Sequence, residues 1–504
     1  MSKAPNRHRE RHSLDIGTRQ MTRRIRGIDR VIQVLSTVTP QAGFMTRQEN
    51  MQLVDALRAA IAGRVVSQAC DDWPAARLAW HTHVPQEPAA IVYATCLDDV
   101  QNTVRVAAAF GCSVSAQPRG HGATAHTADD AVLLRFDGMD EIVVQEDSVR
   151  VGAGTTWRDL NAALDGTGVT SLPGSNGDTT VVGYTLSGGL SWFGRKYGLA
   201  AHHIRAVDAV NASGDVVHVT ADSDPDLFWA LRGGGGEFAV VVAMELDLLP
   251  APRIYGGRRL WSIEHGTALL RAYGEITKTA PDELSLWAWL VSMPDIDGVP
   301  EPLRGRALVG FGMAYLGERE EAEQLLAPLY AVAQPESGAY SELTTAQIAS
   351  IAAEPDDPMP GMGRTHLLTG LTDLTIDSLL DEITCGYSPL QVVQIRHLGG
   401  ALTKATTTDG PVGIIEEPYM VLLGAAAVSP QLHGQIRQAF DRVTADLLFS
   451  ISGRVPMTFA AGSSIDQIFM PTALARLREI KERVDPNNLF RGNYPLATRS
   501  YPYW

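Results

Sequence analysis

Residues 171–204, SLPGSNGDTTVVGYTLSGGLSWFGRKYGLAAHHI, contain Gly174, Gly177, Gly183, Gly188, Gly189, Gly194 and Gly198. That density is too high for a packed helix or strand, because glycine loses the most backbone freedom on ordering and brings no side chain to a core. It suits a surface of backbone N–H groups that approach a ligand closely and take positive φ, as in anion cradles. Two other stretches share this character. QPRGHGAT, residues 117–124, sets His121 between Gly120 and Gly122, and GGGGEF follows PDLFWALR, a helix that Asp224 caps and Pro225 opens. One glycine-rich loop is weak evidence for a ligand; several, one of them carrying a histidine, are stronger.

The periodicity around these loops is that of an α+β chain. AAIVYA reads as a strand, Asp98 and Asp99 can cap the helix that runs to Gly111, and SVSAQ reads as a second strand, which makes a βαβ unit ending at QPRGHGAT. LLRF, IVVQED and VRVGAG read as short strands, and TWRDLNAALDGTG as a helix closed by glycine. Residues 253–455 read differently. RRLWSI, ELSLWAWLV, RALVGFGMAYLG, LQVVQIRHLGG and YMVLLGAAAV are strands, whereas EREEAEQLLAPLYAVA and PQLHGQIRQAFDRVTADLLF are amphipathic helices. An antiparallel sheet backed by helices fits this pattern. Continued past Gly399 and Gly400, its period of two would aim Leu402 and Lys404 into a site, although an outward, solvated Lys404 is equally compatible.

Length and charge exclude some functions. A chain of 504 residues with 45% hydrophobic and 20% charged residues can bury more than one core, in two or three domains. Its net charge of -15 argues against a nucleic-acid binder, which needs clustered Lys and Arg, and no basic stripe follows the N-terminus. No apolar run approaches the roughly 20 residues needed to cross a bilayer. Cys70, Cys96, Cys112 and Cys385 lack the spacing of a zinc site or a disulfide framework and read as free thiols of a reducing compartment. The N-terminal stretch is basic. Arg23-Arg24 suggests a twin-arginine signal, but Asp29 and Arg30 interrupt the apolar run and no cleavage site follows. Residues 1–46 therefore read as a disordered tail, the protein as cytoplasmic, and folded structure as starting near Gln48, with Met51, Val54, Leu57 and Ile61 on one helical face.

AIVYATCLDDVQNTVRVAA, RGHGA, GAGTTWRDLNAAL, VVGYTLSGGLSWFGRKYGL, DPDLFWALRGGGGEFAVV and DPNNLFRGNYPL, in that order, resemble the berberine-bridge-enzyme-like FAD-linked oxidases of the vanillyl-alcohol-oxidase, or PCMH, superfamily. The resemblance extends from about Ala89 to Leu496. It implies a PCMH-type FAD-binding domain in two sequence segments, 47–252 and the berberine-bridge-like 456–504, with an inserted antiparallel-sheet substrate domain at 253–455. It also implies that His121 carries the flavin 8α-methyl group covalently, a role that suits a nucleophilic imidazole; the alternative is a histidine that caps a turn. Arg119 replaces a common family glycine. Asn176 stands where many relatives have a second linking cysteine, so one bond is implied, through His121 only. Arg119, Gly120, His121, Gly122, Ala123, Asn176, Thr179, Gly183, Gly188, Gly189, Tyr197, Gly198, Val240 and Asn493 are the implied FAD contacts. His202 and His203, where relatives have Asp-Asn, cannot chelate one metal if the segment is extended, because neighbouring side chains then point to opposite faces.

The family's tyrosine segment is replaced here by FMPTALARL, so the usual base is missing. Tyr494, Tyr419, Glu416, Glu417 and Lys404 are the candidates for that role, each with an equally good structural reading. The resemblance implies an oxidase that dehydrogenates an alcohol or amine centre of a small-molecule substrate, a specialised metabolite, with dioxygen as acceptor. Two alternatives stay open: a dehydrogenase with another acceptor, and a ligand-sequestering flavoprotein without turnover.

Overall fold

The computed structural model describes residues 45–496 apart from 129, 298 and 408. The expectation for the N-terminal tail thus lies outside the described residues, except at Met45 and Thr46. Thr46 and Glu49 form a capping box that starts the first helix, Arg47–Ala60. Its buried face is Leu53, Val54, Leu57 and Ala60, whereas Met51 is exposed.

Strands Ala90–Ala94 and Ser113–Ala116 flank Ala131–Phe136 in parallel, and Arg64–Val66 adds an antiparallel edge. The helix Leu97–Ala109 makes the crossover that parallel strands require. Asp99 does more than serve that helix: it is buried and accepts from the N–H groups of Thr95, Ala62 and Gly63. A second, antiparallel sheet runs in the order Ile142–Val144, Ser148–Gly152, Val240–Asp247, Ile204–Val210, Val216–Val219. QPRGHGAT leaves the first sheet at the end of Ser113–Ala116, and the C-terminal chain returns there: Val114 N–H donates to Leu489 C=O and Arg491 N–H to Val114 C=O.

The third sheet has seven antiparallel strands in the order Ser337–Leu343, Ile254–Ser262, Ala307–Tyr315, Leu284–Ser292, Val392–His397, Tyr419–Ala426, Gly361–Leu368. Sequence periodicity missed both outermost strands, SGAYSEL and GMGRTHLL. Edge strands pair on one side only, and these two are mostly exposed or half-buried, so their apolar alternation is weak. One sheet face carries Leu286, Ala288, Leu290, Val393, Ile395 and Val421 into a core shared with the helices Gly266–Thr279, Asp373–Thr384 and Pro430–Asp446. The opposite face carries Trp287 and Trp289 into the core of the glycine-rich half, where Trp287 stacks on Trp192 at 3.4 Å between ring centroids.

Two local expectations fail. His202 and His203 lie in the 3-10 turn Ala200–His203 rather than in extended chain; they turn to different partners, Asp409 at 3.5 Å and Asp247 at 3.0 Å. The strand that was to continue past Gly399 also becomes a 3-10 turn, Gly400–Thr403, because the chain folds against Arg195. Leu402 is buried there, but Lys404 is exposed and faces Asp282 at 3.3 Å.

Candidate functional site

His121 sits on a turn that leaves little choice of residue. Gly120 has φ +86, and a Cβ there would lie 3.0 Å from Ala79 Cα. The imidazole stacks on Trp80 at 4.4 Å between centroids, and Nε2 lies 3.6 Å from Asp178 Oδ2, with no hydrogen-bond partner of its own. Burial works to raise the Asp178 carboxyl, but His121 and the Arg119 and Arg158 charges outweigh it and hold the group below the usual range. His81, edge-on to Trp80 at 4.9 Å, is pushed down to about 4 by burial and next by His121, so it stays neutral beside the site.

The C-terminal segment completes this corner. A Cβ on Gly122 would touch Asn493 Nδ2 at 3.3 Å, and Thr124 Oγ1 donates to the Asn493 carbonyl. Buried polar groups hold the segment in place. Glu237 accepts from the N–H groups of Gly492 and Leu496, and Lys481 Nζ donates to Asp485 Oδ2 and to the Glu237 and Phe490 carbonyls. Arg491 pairs with Asp130 through two hydrogen bonds, 2.6 and 2.7 Å long.

The second glycine-rich segment brings Asn176 to the same region. Its Oδ1 accepts from Asp178 N–H, and its Nδ2 donates to Pro355 C=O, on a loop of the seven-stranded half. Thr179 C=O accepts from Trp157 N–H, and Gly183 C=O from Ser187 Oγ. Gly188 lines a pocket whose other walls include Leu190, Leu199, Leu367, Ile415 and Thr458. Gly189 has φ +75, and a Cβ there would lie 2.6 Å from the Tyr184 ring and 2.7 Å from Ala200 Cβ. Gly189→Ala is therefore expected to cost about 1–3 kcal/mol from overpacking and backbone strain and to lower flavin content. Thermal melting and the flavin-to-protein absorbance ratio measure both; parental values of the two would contradict this account of the loop.

Tyr197 gives its hydroxyl to Pro250 C=O, Gly198 follows it at φ +92, and Val240 is buried in the second sheet opposite Val210. Ala123 N–H closes the QPRGHGAT turn onto Gly120 C=O, and Arg119 Nε lies 3.8 Å from Asp178. The candidate bases separate clearly. Tyr419 is on the helix-covered face of the seven-stranded sheet, with its hydroxyl 2.5 Å from Thr277 Oγ1. Lys404 and Glu416 are exposed. Tyr494 packs against the core of the glycine-rich half, where burial pushes its phenol well up. Glu417 is buried, leaves Oε2 without a partner, and follows the pocket-lining Ile415 by two residues.

Sequence reading missed several groups on the inner sheet face. The register sets Trp287 opposite Arg396, Arg396 opposite Met420, and Met420 opposite the pocket-lining Leu367. Gln394 shares that face. The period of two in VVQIRH was a usable signal, but an arginine within a strand reads from sequence alone as solvated. Tyr184 was missed as well. Its ring lies between Gly174 and Gly189, and its buried hydroxyl has no partner.

The glycine positions that a side chain would fill, the unpartnered Nε2 of His121 and the adjoining Asn493 amide fit a large planar cofactor with an anionic tail. The sequence matches a family model described as FAD binding domain over residues 88–220, and one described as berberine and berberine like over residues 467–495. (R)-6-hydroxynicotine oxidase of Paenarthrobacter nicotinovorans is 24% identical over 461 residues, 86% of this chain and 97% of that protein. Glucooligosaccharide oxidase of Sarocladium strictum is 28% identical over 273 residues, 52% of this chain and 51% of that protein. The solved structure of Physcomitrella patens BBE-like 1 matches with a TM-score of 0.77 at 19% identity, covering 89% of this chain and all of that one (100%). The expected α+β fold of the PCMH type is therefore met. No helix among the described residues is long and apolar enough to cross a membrane.

Proposed function

We propose that this chain is a berberine-bridge-enzyme-like FAD-linked oxidoreductase that dehydrogenates an alcohol or amine carbon of a small organic molecule and delivers the electrons to dioxygen. In this reading residues 47–252 and 456–496 hold FAD, linked through His121 alone, and residues 253–455 form the cover over the substrate. The observation that carries it is the meeting of two segments far apart in the chain, the QPRGHGAT turn and the C-terminal segment: the His121 Nε2 has no hydrogen-bond partner, and the Asn493 amide lies against Gly122. Asn176 has no sulfur with which to form a second link.

Bound FAD supplies the hydride acceptor. The protein supplies the rest. Trp80 and Asp178 hold the His121 ring in one orientation, and the stacked Trp192 and Trp287 keep water from the inner sheet face. At neutral pH burial keeps the Tyr494 phenol protonated, which suits it to donate a hydrogen bond and not to remove a proton. Glu417, buried with one side-chain oxygen unpartnered and two residues from the pocket-lining Ile415, is the group we assign to take the proton that the hydroxyl or amine loses as its carbon is oxidised.

The test is an anaerobic screen of alcohols and amines for flavin bleaching, followed by admission of air and a peroxide assay. Bleaching with peroxide formation supports the oxidase. Bleaching that air does not reverse, but an artificial acceptor does, points to a dehydrogenase, and tight binding without bleaching points to sequestration. With any substrate so found, Glu417→Gln is expected to slow bleaching by about 10²-fold or more, whereas Tyr419→Phe leaves the rate unchanged and removes only its hydrogen bond to Thr277, at a cost of about 1 kcal/mol in stability. Rapid-mixing absorbance measures the rates. Equal rates for Glu417→Gln and the parent would remove Glu417 from the role.

A further inference from the structure

Arg396 is among the largest fully buried side chains; among the described residues no carboxylate forms an ion pair with it, and the exposed Glu354 acts on it only from a distance. Buried charges are ordinarily paired or fully hydrogen-bonded. Two other buried arginines follow that rule: Arg195 donates to the carbonyls of Leu284, Leu398, Ala280 and Pro281, and Arg491 pairs with Asp130; Arg135 and Arg232 are less buried than Arg396, and each leaves Nε without a partner. Arg396 instead spends Nε on Gln394 Oε1 at 2.6 Å, reaches Ser175 Oγ only at 3.4 Å through Nη2, and leaves Nη1 without a partner. Two rings cover the guanidinium, Trp287 at 3.8 Å and Phe459 at 4.4 Å from centroid to Cζ. With those rings against the guanidinium, the Nη edge is the part of the group whose hydrogen-bonding capacity is left unused.

That edge adjoins the proposed site. Ser175 precedes Asn176 in the glycine-rich segment, and Met420 separates Arg396 from the pocket-lining Leu367 within the sheet. Arg258 stands on the same face, with its Cζ 5.8 Å from the Trp289 ring centroid, donates to Ala352 C=O, and among the described residues forms no ion pair with a carboxylate either. The face is therefore cationic as well as aromatic.

We propose that Arg396 is a specificity-determining residue that receives a carboxylate of the substrate, so that this oxidoreductase acts on an organic acid bearing the alcohol or amine to be oxidised. A carboxylate is planar and accepts two parallel hydrogen bonds from a guanidinium edge, and it fits the slot between flat rings in a way a tetrahedral anion does not. Gln394, bonded to Nε, sets the plane of the fork. The proposal rests on the oxidoreductase reading above, and its test is a binding measurement that does not need turnover.

The purified, flavin-loaded protein is titrated with benzoate and with benzamide, which match in shape and differ in charge, and the flavin spectrum and melting temperature are followed. Benzoate is expected to give saturable changes and benzamide to bind at least about tenfold more weakly, the difference one charge-assisted pair makes. Arg396→Gln should remove that preference, and Arg396→Lys should keep part of it. Equal binding of benzoate and benzamide by the parent protein, or undiminished benzoate preference in Arg396→Gln, overturns the assignment. If Arg396→Gln does not fold, the parent comparison and Arg396→Lys decide the matter. Arg396-dependent benzoate binding in a protein that no substrate bleaches would uphold the anion site and reject the oxidase reading.

Discussion

Acid precipitation of the His121→Ala variant is expected to release all of its flavin, whereas the parent protein retains the yellow chromophore on a single peptide that contains His121. The cause is local. His121 carries the one imidazole nitrogen at this turn that is both unpartnered and held in place, by Trp80 on its face and Asp178 at 3.6 Å. Asn176 contributes an amide that already bonds Asp178 N–H and Pro355 C=O, and an amide forms no thioether. Before denaturation the variant should still bind flavin, because backbone N–H groups of the glycine-rich loops do not depend on the ring. Intact-protein mass spectrometry reads the outcome. A parent mass without FAD, or flavin retained on another peptide of the variant, would reject the single histidyl link.

The largest stability effect is expected at Lys481. Its ammonium is buried against Glu237 and Asp485, at 3.7 and 2.7 Å, and it also binds two backbone carbonyls. Replacing it with methionine leaves buried carboxylates without their cation, which costs about 3–5 kcal/mol. The damage is directed at the C-terminal segment, because Glu237 holds the Gly492 and Leu496 N–H groups. Flavin retention should therefore fall together with the melting temperature. The pH dependence has a definite sign. Burial raises the Glu237 carboxyl, and Lys481 is the first group opposing that rise. A carboxyl whose folded pKa is raised favours the fold below its unfolded pKa and loses that contribution as pH rises through the folded value. Without Lys481 the rise is larger, so the deficit of Lys481→Met should be greatest at neutral pH and narrow toward pH ~5. Denaturant melts at several pH values check this; a deficit independent of pH would mean that Glu237 is not the carboxylate left uncompensated.

Several features were legible in the residue pattern because they depend on near neighbours in the chain. The strand Ala90–Ala94, the helix Leu97–Ala109 and the strand Ser113–Ala116 follow from periodicity, and Asp224 with Pro225 starts its helix by a bond made three residues on. The glycine loops, and the singling out of His121 within them, follow from the same local logic: only glycine takes the φ of +86 at Gly120 without strain. The order of motifs was enough to show the resemblance to a family and to set the α+β fold.

Other features depend on what lies across space, which the tertiary structure alone decides. Tyr419 and Met420 are adjacent in sequence, yet one faces the helices and the other the inner side of the sheet, and only the register with Arg396 and Leu367 identifies which side is which. Lys404 missed the site because the chain turns at Gly400 against Arg195, a contact between residues far apart in the chain. The two edge strands escaped detection because solvent on one side removes the alternation that marks a strand. Arg396 shows the limit most clearly. From sequence a strand arginine reads as solvated; its burial against Trp287 and Phe459, with no ion pair among the described residues, exists only once three distant segments have packed together, because local chain propensities do not specify long-range pairing.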